Sequence, residues 1–269
     1  MFLSKCMDMP QHCRDAVAYF YVICYYLFKK KDKEKKNMSK KYILFDLDGT
    51  LTDSGEGIIK SVQYALESVG IHEEHMDVLH RYIGPPLDFS FEKFHGMTGD
   101  DNKAVVAKYR QRYGEVGLFE NKVYDGIIDV LKTLQKRGYI LAVATCKPEK
   151  YMVPILEHFK LTPYFTVMVG CDLEGGQRRH KHEVIEEVFR QLNEKLNGGA
   201  ELTEEALDDM KTEALMVGDR NNDILGAKEC QIESLGVRYG YAEPEELEDA
   251  GADYIVDSVV EIVAAIEQM

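Results

Sequence analysis

The sequence lacks several features that would each indicate a particular class of protein. Its six cysteines include neither a C-x-x-C pair nor the spacing of a zinc site, so no disulfide framework or structural zinc is predicted and a reducing, cytoplasmic setting is expected. The motif G-x-x-x-x-G-K-[ST] does not occur, which leaves an ATP-driven P-loop enzyme unsupported. Lys and Arg number 33 against 47 Asp and Glu, and the net charge of −14 argues against a nucleic-acid partner.

A long hydrophobic run is also missing. The most apolar segment, residues 16–28, falls short of the roughly 20 residues that a membrane-spanning helix needs. The basic run KKKDKEKK follows it, and no small-residue cleavage site is evident. Residues 1–38 are therefore predicted to be an N-terminal extension with three open interpretations: a dispensable segment upstream of a second start at Met38, an anchor on a membrane surface, or a helix packed on the domain. A membrane partner is not expected.

The rest of the composition is typical of a soluble globular protein. The chain has 269 residues, of which 45% are hydrophobic and 30% charged, and this length is enough for one or two domains. An acidic protein can still bind a phosphorylated small molecule if it concentrates a few positive groups, or a metal ion, in one pocket. The oligomeric state is left open between a monomer and a homodimer.

The segment after the first predicted strand is helical in pattern. Apolar residues recur at three- and four-residue spacing over residues 58–69, and Gly70 follows as a stop signal. Three further helices are predicted, at residues 75–83, 87–94 and 101–113. No strand pattern interrupts them, so residues 55–124 are predicted to form an all-helical cap.

From residue 125 onward, strands alternate with helices. The predicted strands are residues 139–145, 165–170, 214–218, 233–237 and 254–256. The predicted helices between them include residues 126–136, 150–159 and 182–196. Such alternation predicts an α/β fold, in which a parallel sheet has helices on both faces. The predicted core comprises residues 39–54 and 125–269.

Residues 42–54, with the sequence YILFDLDGTLTDS, combine a buried strand with two acids. Four apolar residues lead into Asp46 and Asp48, and Gly49 permits a sharp turn beyond them. Both carboxylates should therefore lie beyond the carboxyl end of a strand, where open α/β sheets bind their ligands. Two anions this close together need a cation, which predicts a metal-dependent site on this loop.

Other predicted strand ends carry polar residues of complementary kinds. The second strand ends at Thr145, with Cys146, Lys147 and Pro148 expected to open the next helix. Lys181 comes just before a helix, after the third strand. The fourth strand leads into DRNND, which contains the two acids Asp219 and Asp223. Carried on parallel strands of one sheet, these groups should converge on a single crevice.

These motifs resemble those of the haloacid dehalogenase superfamily. Asp46 and Asp48 match the first family motif, Thr145 the second, Lys181 the third, and Asp219 with Asp223 the fourth. Flanking text such as YIGPPL and GVRYGYAEPEELEDAGADYIV is similar to phosphoglycolate phosphatase-like and 5′-nucleotidase-like members. The resemblance covers the chain from about residue 40 and implies a Rossmann-like parallel sheet with an all-helical cap domain inserted after the first strand. The segment 192–213 is longer than usual for the family, and the N-terminal extension is unmatched.

The resemblance implies a Mg²⁺-dependent phosphatase acting on a small phosphorylated metabolite, such as 2-phosphoglycolate or a nucleoside 5′-monophosphate. Asp46 is expected to attack phosphorus and form an aspartyl phosphate, and Asp48 to serve as general acid and then general base. Mg²⁺ is the expected cofactor because it is a hard ion that prefers oxygen ligands. Its implied ligands are Asp46, the backbone carbonyl of Asp48, and Asp219, with Asp223 supporting them.

Thr145 and Lys181 are expected to hold the phosphoryl oxygens while the ester bond breaks. Two alternatives stay open: a phosphomutase of the same superfamily, and a non-catalytic phosphate-binding regulator on the same fold. Thr50 is typical of the phosphatases rather than the mutases, and all four motifs are present, which favours an enzyme over a regulator. The resemblance also implies that dehalogenases and phosphonate hydrolases of the superfamily lack this second acid, so Asp48 argues against both activities.

Overall fold

The computed structural model describes residues 40–172, 178–199 and 201–269. The predicted N-terminal extension, residues 1–38, lies outside them, and so do the three interpretations of it. Residues Lys40–Gln268 form one compact unit. Among the described helices, none has both the length and the apolar character that crossing a bilayer requires.

From residue 125 onward, strands alternate with helices as the sequence pattern predicts, apart from one additional helix. The first part contains β1 (Tyr42–Phe45), β2 (Thr52–Asp53), α1 (Gly55–Glu67), α2 (Leu87–His95), α3 (Gly99–Arg112) and β3 (Lys122–Val123). The second part contains α4 (Ile127–Lys136), β4 (Ile140–Pro148), α5 (Glu149–His158), β5 (Val167–Cys171), α6 (Lys181–Leu196), α7 (Glu204–Thr212), β6 (Ala214–Gly218), α8 (Asn221–Glu229), β7 (Glu233–Val237), α9 (Glu246–Asp249), β8 (Tyr254–Val256) and α10 (Ile262–Glu267). Short 3₁₀ turns lie at Met76–Tyr82, Thr162–Tyr164 and Val259–Glu261, and a π-helical turn at Tyr113–Gly117.

Six of the strands form one sheet in the order β5-β4-β1-β6-β7-β8. Every neighbouring pair in this sheet is parallel. In the middle of the sheet, Tyr42 lies opposite Ile140 on one side and Ala214 on the other. Because parallel strands end at the same edge, the loops after β1, β4 and β6 meet there. The predicted parallel α/β fold is confirmed.

Both faces of the sheet are buried, as the continuous apolar character of β1 predicts. Tyr42 and Leu44 pack in one cluster with Val184 and Val188 of α6. The alternate residues of the strand, which include Phe45, point to the opposite face and are also buried. Burial on both faces holds β1 rigidly and thereby positions the loop that follows it.

The predicted cap segment, residues 55–124, contains α1, α2 and α3 but is not purely helical. Its last residues form β3, which pairs antiparallel with β2 so that Thr52 lies opposite Val123. The expectation of no strand here was wrong, because a two-residue strand is too short to produce a visible alternation. The cap boundaries stay a prediction.

Three further differences from the sequence-based prediction concern element type and length. Residues 75–83, predicted as a helix, form the 3₁₀ turn Met76–Tyr82. The residues Cys146, Lys147 and Pro148 belong to β4, so the expectation that they open a helix was wrong. The long segment 192–213 contains the extra helix α7, whose N-terminus is capped by the Thr203 side chain accepting from the Ala206 N–H at 3.2 Å.

Candidate active site

The loop after β1 is a tight turn that depends on a glycine. The carbonyl of Leu47 accepts hydrogen bonds from the N–H groups of Leu51 and Thr52, at 2.9 and 3.0 Å. Gly49 adopts a positive φ of 85°, which a residue with a side chain rarely tolerates. A Cβ atom at this position would lie 2.0 Å from Oδ2 of Asp219. Gly49 therefore allows the loops after β1 and β6 to approach each other closely.

Three of the predicted acids converge at this edge of the sheet. Carboxylate oxygens of Asp46, Asp219 and Asp223 all lie within 4.8 Å of one another, and all three residues are buried. The Asp219 carboxylate accepts hydrogen bonds from the Thr50 hydroxyl at 3.1 Å and from the Tyr241 N–H at 2.8 Å. These bonds hold it in place beside the β1 loop.

Lys181 supplies the positive charge in this cluster. Its Nζ atom lies 2.6 Å from Oδ1 of both Asp46 and Asp223, and it donates to the Ala144 carbonyl at 2.9 Å. The lysine is 4% exposed and begins α6. Its stem packs beside Gly226, where a Cβ atom would lie 2.6 Å from the lysine Cβ. Helix packing therefore fixes the ammonium against the acids.

One lysine does not balance three buried carboxylates. Burial raises the pKa of Asp46 to about 6, opposed by the Lys181 ammonium and reinforced by the Asp223 charge. Burial also raises the pKa of Asp219 well above its ordinary value, and the Asp223 and Asp46 charges add to that effect. Burial by itself lowers the pKa of Lys181, but the Asp223 and Asp46 carboxylates raise it above its ordinary value. The cluster is short of positive charge.

The donor set of this cluster fits a hard divalent cation. Asp46, Asp219 and Asp223 offer carboxylate oxygens only, which is the ligand type that Mg²⁺ prefers. The raised pKa of Asp219 shows the cost of burying this charge without a cation. The side chain of Asp48 is not a member of this oxygen cluster.

The Asp48 carboxylate is instead paired with a lysine that the sequence reasoning did not select. Lys147 Nζ donates to Oδ2 of Asp48 at 2.7 Å, and Lys147 is 8% exposed. The same ammonium lies 4.7 Å from the ring centroid of Tyr113, which comes from the predicted cap segment. The signal in the sequence was the presence of a lysine two positions after Thr145, in a segment predicted to open a helix.

Thr145 lies at an irregularity in β4. The pairing of β4 with β5 shifts register between Ala144 and Pro148, which is the effect of a β-bulge. The Thr145 hydroxyl is buried and accepts from the Lys147 N–H at 3.2 Å. Thr145 and Lys147 both lie within this irregular stretch of the strand.

Two other residues around Asp219 were not anticipated. Gly240 closes over it, because a Cβ atom there would lie 2.4 Å from both Cβ and Oδ2 of Asp219. The Arg220 side chain donates to the Ile83 carbonyl and, at 2.8 Å, to Oε1 of Glu246. Arg220 therefore connects the loop after β6 to the predicted cap segment. Its position next to Asp219 was the only signal for it in the sequence.

The six predicted site residues thus fall into three neighbouring places. Asp46, Asp219, Asp223 and Lys181 form one cluster. Asp48 lies on the same β1 loop but faces Lys147. Thr145 lies in the adjacent strand β4, three residues before its last residue, Pro148. The roles of these residues stay predictions.

Comparison with known proteins identifies the family. Residues 43–237, more than half of the chain, match the model of the family described as haloacid dehalogenase-like hydrolase. The chain belongs to the haloacid dehalogenase-like hydrolase family. The resemblance drawn from the motifs is confirmed, and the protein is an enzyme of the phosphatase class.

Several relatives of this hydrolase have names that describe an activity. A 5′-nucleotidase of Pseudomonas aeruginosa is 40% identical over 205 residues, which cover 76% of this chain and 86% of the relative. A tyrosine-protein kinase PtkA of Mycobacterium tuberculosis is 31% identical over a stretch that covers 86% of this chain and 72% of the relative. A phosphoglycolate phosphatase of Colwellia psychrerythraea is 26% identical over a stretch that covers 87% of this chain and 100% of the relative.

A solved structure shows the same fold. It is described as a predicted phosphatase from Clostridium acetobutylicum, and it is 41% identical in sequence to this chain. The similarity covers 86% of this chain and 100% of that chain, with a TM-score of 0.77.

Proposed function

We propose that this hydrolase is a Mg²⁺-dependent phosphomonoesterase that cleaves a small phosphorylated metabolite through an aspartyl phosphate on Asp46. The observation that carries the proposal is that one loop holds two carboxylates with different surroundings. Asp46 belongs to the acid cluster with Lys181, whereas Asp48, two residues on, stands apart from that cluster. A displacement at phosphorus needs both a nucleophile and a separate proton donor.

Asp46, Asp219 and Asp223 are the residues that would hold Mg²⁺, joined by the backbone carbonyl of Asp48 as the family resemblance implies. When bound, the ion supplies positive charge to these carboxylates and to the phosphate oxygens. This explains why three acids are buried around one lysine. The Thr50 and Tyr241 hydrogen bonds keep the Asp219 carboxylate oriented toward its neighbours.

In the first half-reaction, a carboxylate oxygen of Asp46 attacks phosphorus, and the bond from phosphorus to the ester oxygen breaks. Asp48 donates its proton to the departing oxygen, so the alcohol leaves neutral. In the second half-reaction, Asp48 takes a proton from water as that water attacks the same phosphorus. The bond from phosphorus to Asp46 then breaks, which releases phosphate and restores both carboxyl groups.

Charge must be held on the phosphoryl oxygens during both steps. Lys181 lies 2.6 Å from Asp46, and Thr145 offers a buried hydroxyl in the adjacent strand β4. Preorganised donors of this kind contribute roughly 3–4 kcal/mol each in comparable oxyanion sites. The packing of Lys181 against Gly226 provides the required rigidity.

The relatives supply two candidate substrates for this site. Their names point to a nucleoside 5′-monophosphate in one case and to 2-phosphoglycolate in the other. Both are small phosphate monoesters, which agrees with the predicted partner of this chain.

Measuring phosphate release from a panel of monoesters tests this function directly. The panel contains 2-phosphoglycolate, the nucleoside 5′-monophosphates and ethyl phosphate, each with Mg²⁺ and with EDTA. We expect turnover that requires Mg²⁺ and that falls by roughly 10³-fold or more in Asp46→Asn, because the covalent nucleophile is lost. Asp129→Asn, which changes an exposed carboxylate on α4, is the matched control and should keep full activity.

Rapid quenching of the parent enzyme with substrate should also trap one phosphoryl group on a peptide that contains Asp46. Full activity in Asp46→Asn, or no hydrolysis of any monoester by the parent, would contradict the proposal.

A further inference from the structure

The buried ammonium of Lys147 lies beside the acid that is proposed to protonate the leaving group. Its described contacts are the Asp48 carboxylate at 2.7 Å and the Tyr113 ring, whose centroid is 4.7 Å away. Lysine is rarely this buried unless its charge has a purpose, since removing an ammonium from water is costly. The proposed chemical steps make no use of this charge.

Two polar atoms next to Lys147 have no hydrogen-bond partner among the described residues. They are Oδ1 of Asp48 and the hydroxyl of Tyr113, and both are shielded from solvent. Unsatisfied buried polar atoms are few in native proteins, and each one calls for an explanation such as an absent ligand. Here a cation, a hydroxyl and a carboxylate oxygen lie together on the side of the site formed by β4 and the predicted cap segment.

This combination suits an oxygen-rich anion. The ammonium and the tyrosine hydroxyl both donate hydrogen bonds, and a carboxylate of the substrate would accept from both. Oδ1 of Asp48, which has no hydrogen-bond partner in the described part of the chain, remains available to carry the proton that Asp48 is proposed to donate to the ester oxygen. The anion must also be close to that ester oxygen, because Lys147 is one hydrogen bond away from Asp48.

We propose that Lys147 and Tyr113 form a subsite that selects phosphate monoesters with a carboxylate one or two carbons from the ester oxygen. This inference rests on the proposed function, because it assigns the leaving group to the Asp48 side of the site. It favours short phosphorylated hydroxy acids over nucleoside monophosphates, which carry no second anion near the ester oxygen.

The decisive comparison uses two esters that differ mainly in the carboxylate: 2-phosphoglycolate and ethyl phosphate. The parent enzyme should have the higher kcat/KM for 2-phosphoglycolate. In Lys147→Met, kcat/KM for 2-phosphoglycolate should fall about 10- to 100-fold further than for ethyl phosphate, as expected for the loss of a hydrogen bond to a charged group. Lys147→Arg keeps the charge and should recover part of the preference.

Tyr113→Phe tests the second member of the subsite. It should reduce the preference for 2-phosphoglycolate by a few-fold, because one neutral donor is lost. Tyr151→Phe is the matched control: its ring packs edge-on against Tyr113 at 5.4 Å, and its hydroxyl is not among the unsatisfied buried atoms. This control should leave the ratio of the two kcat/KM values unchanged.

A purely structural role for Lys147 predicts a different pattern, with equal losses on both esters. Equal losses would overturn the subsite while leaving the proposed phosphatase activity intact. A parent enzyme that hydrolyses nucleoside monophosphates or ethyl phosphate as well as 2-phosphoglycolate would also overturn it, and this result needs no folded variant. If the parent hydrolyses no monoester, the proposed function itself fails.

Discussion

The two sides of the candidate site differ in how completely the protein satisfies them. On the core side, which comprises Asp46, Asp219, Asp223 and Lys181, the one buried side-chain atom without a hydrogen bond among the described residues is Oδ1 of Asp223, and it lies 2.6 Å from the Lys181 ammonium. On the cap side, which comprises Asp48, Lys147 and Tyr113, two buried polar atoms have none among the described residues. The unsatisfied core-side atom thus faces a cation of the protein, whereas we propose that a substrate supplies the missing partners on the cap side.

The charges of the two sides differ as well. The core side has three acids for one lysine, and the cap side has one acid for one lysine. A cation therefore belongs on the core side, where it relieves repulsion between buried carboxylates. We infer that the core side holds the phosphoryl group of any phosphate ester, while the cap side contacts the leaving group, through Asp48 as proton donor and Lys147 with Tyr113 as the selective subsite.

Removing the core-side lysine should have the largest effect. Lys181→Met is expected to lower kcat roughly 10²- to 10³-fold on 2-phosphoglycolate and ethyl phosphate alike, because the lysine is proposed to hold the phosphoryl group common to both. Steady-state kinetics on both esters would measure this, with the exposed Lys103→Met as the control. A selective loss on only one ester would contradict the division into two sides. Circular dichroism would verify that the variant is folded, since it leaves buried acids without their counter-ion.

The core side should also respond to Mg²⁺ in a pH-dependent way. Without the metal, the pKa of Asp46 is raised from 3.8 to about 6 in the folded protein. Between these two pH values, Asp46 is protonated in the folded state and ionised in the unfolded state. The contribution of Asp46 to stability therefore falls as pH rises through this window. Bound Mg²⁺ offsets the ionised carboxylates, so the metal should raise the melting temperature more at pH 7 than at pH 5.

At 100 times its Kd, Mg²⁺ should stabilise the protein by about 2.7 kcal/mol at neutral pH. Scanning calorimetry with Mg²⁺ and with EDTA at both pH values would measure this. Asp219→Asn should remove most of the metal effect, and Asp129→Asn should leave it unchanged. An equal gain in melting temperature at both pH values would contradict the charge argument.

The smallest predicted effect concerns the link between the two sides. Arg220 follows Asp219 directly and donates to the Ile83 carbonyl of the predicted cap segment. Arg220→Met should raise KM a few-fold with little change in kcat, because the segment is held less firmly while the acids stay in place. Hydrogen exchange over residues 76–87 should accelerate. Arg238→Met, which changes a half-exposed ion pair, should alter neither measurement, and faster exchange in both variants would show a general loosening instead.

Much of the fold was predictable because its signals are local. The strands β6, β7 and β8 were predicted to the residue, since each contains a short apolar run close to polar or turn-forming residues. The pairing of β2 with β3 was not predictable, because it joins two-residue segments nearly 70 residues apart in sequence. Lys147 was misassigned because a bulge that lengthens β4 leaves no distinctive pattern in the sequence.

By itself, the sequence determined the family of this chain and the candidate residues of its site. Asp46 and Asp48 follow β1, Asp219 follows β6, and Lys181 and Asp223 lie in the first turns of α6 and α8, at the edge of the sheet where the parallel strands end. Only the tertiary structure decided which lysine each acid of the β1 loop contacts. Asp48 turns toward Lys147, while Asp46 turns toward Lys181, although only Leu47 separates them in sequence. The reason is that side-chain direction in a tight loop depends on the packing of distant segments, which spacing alone does not encode.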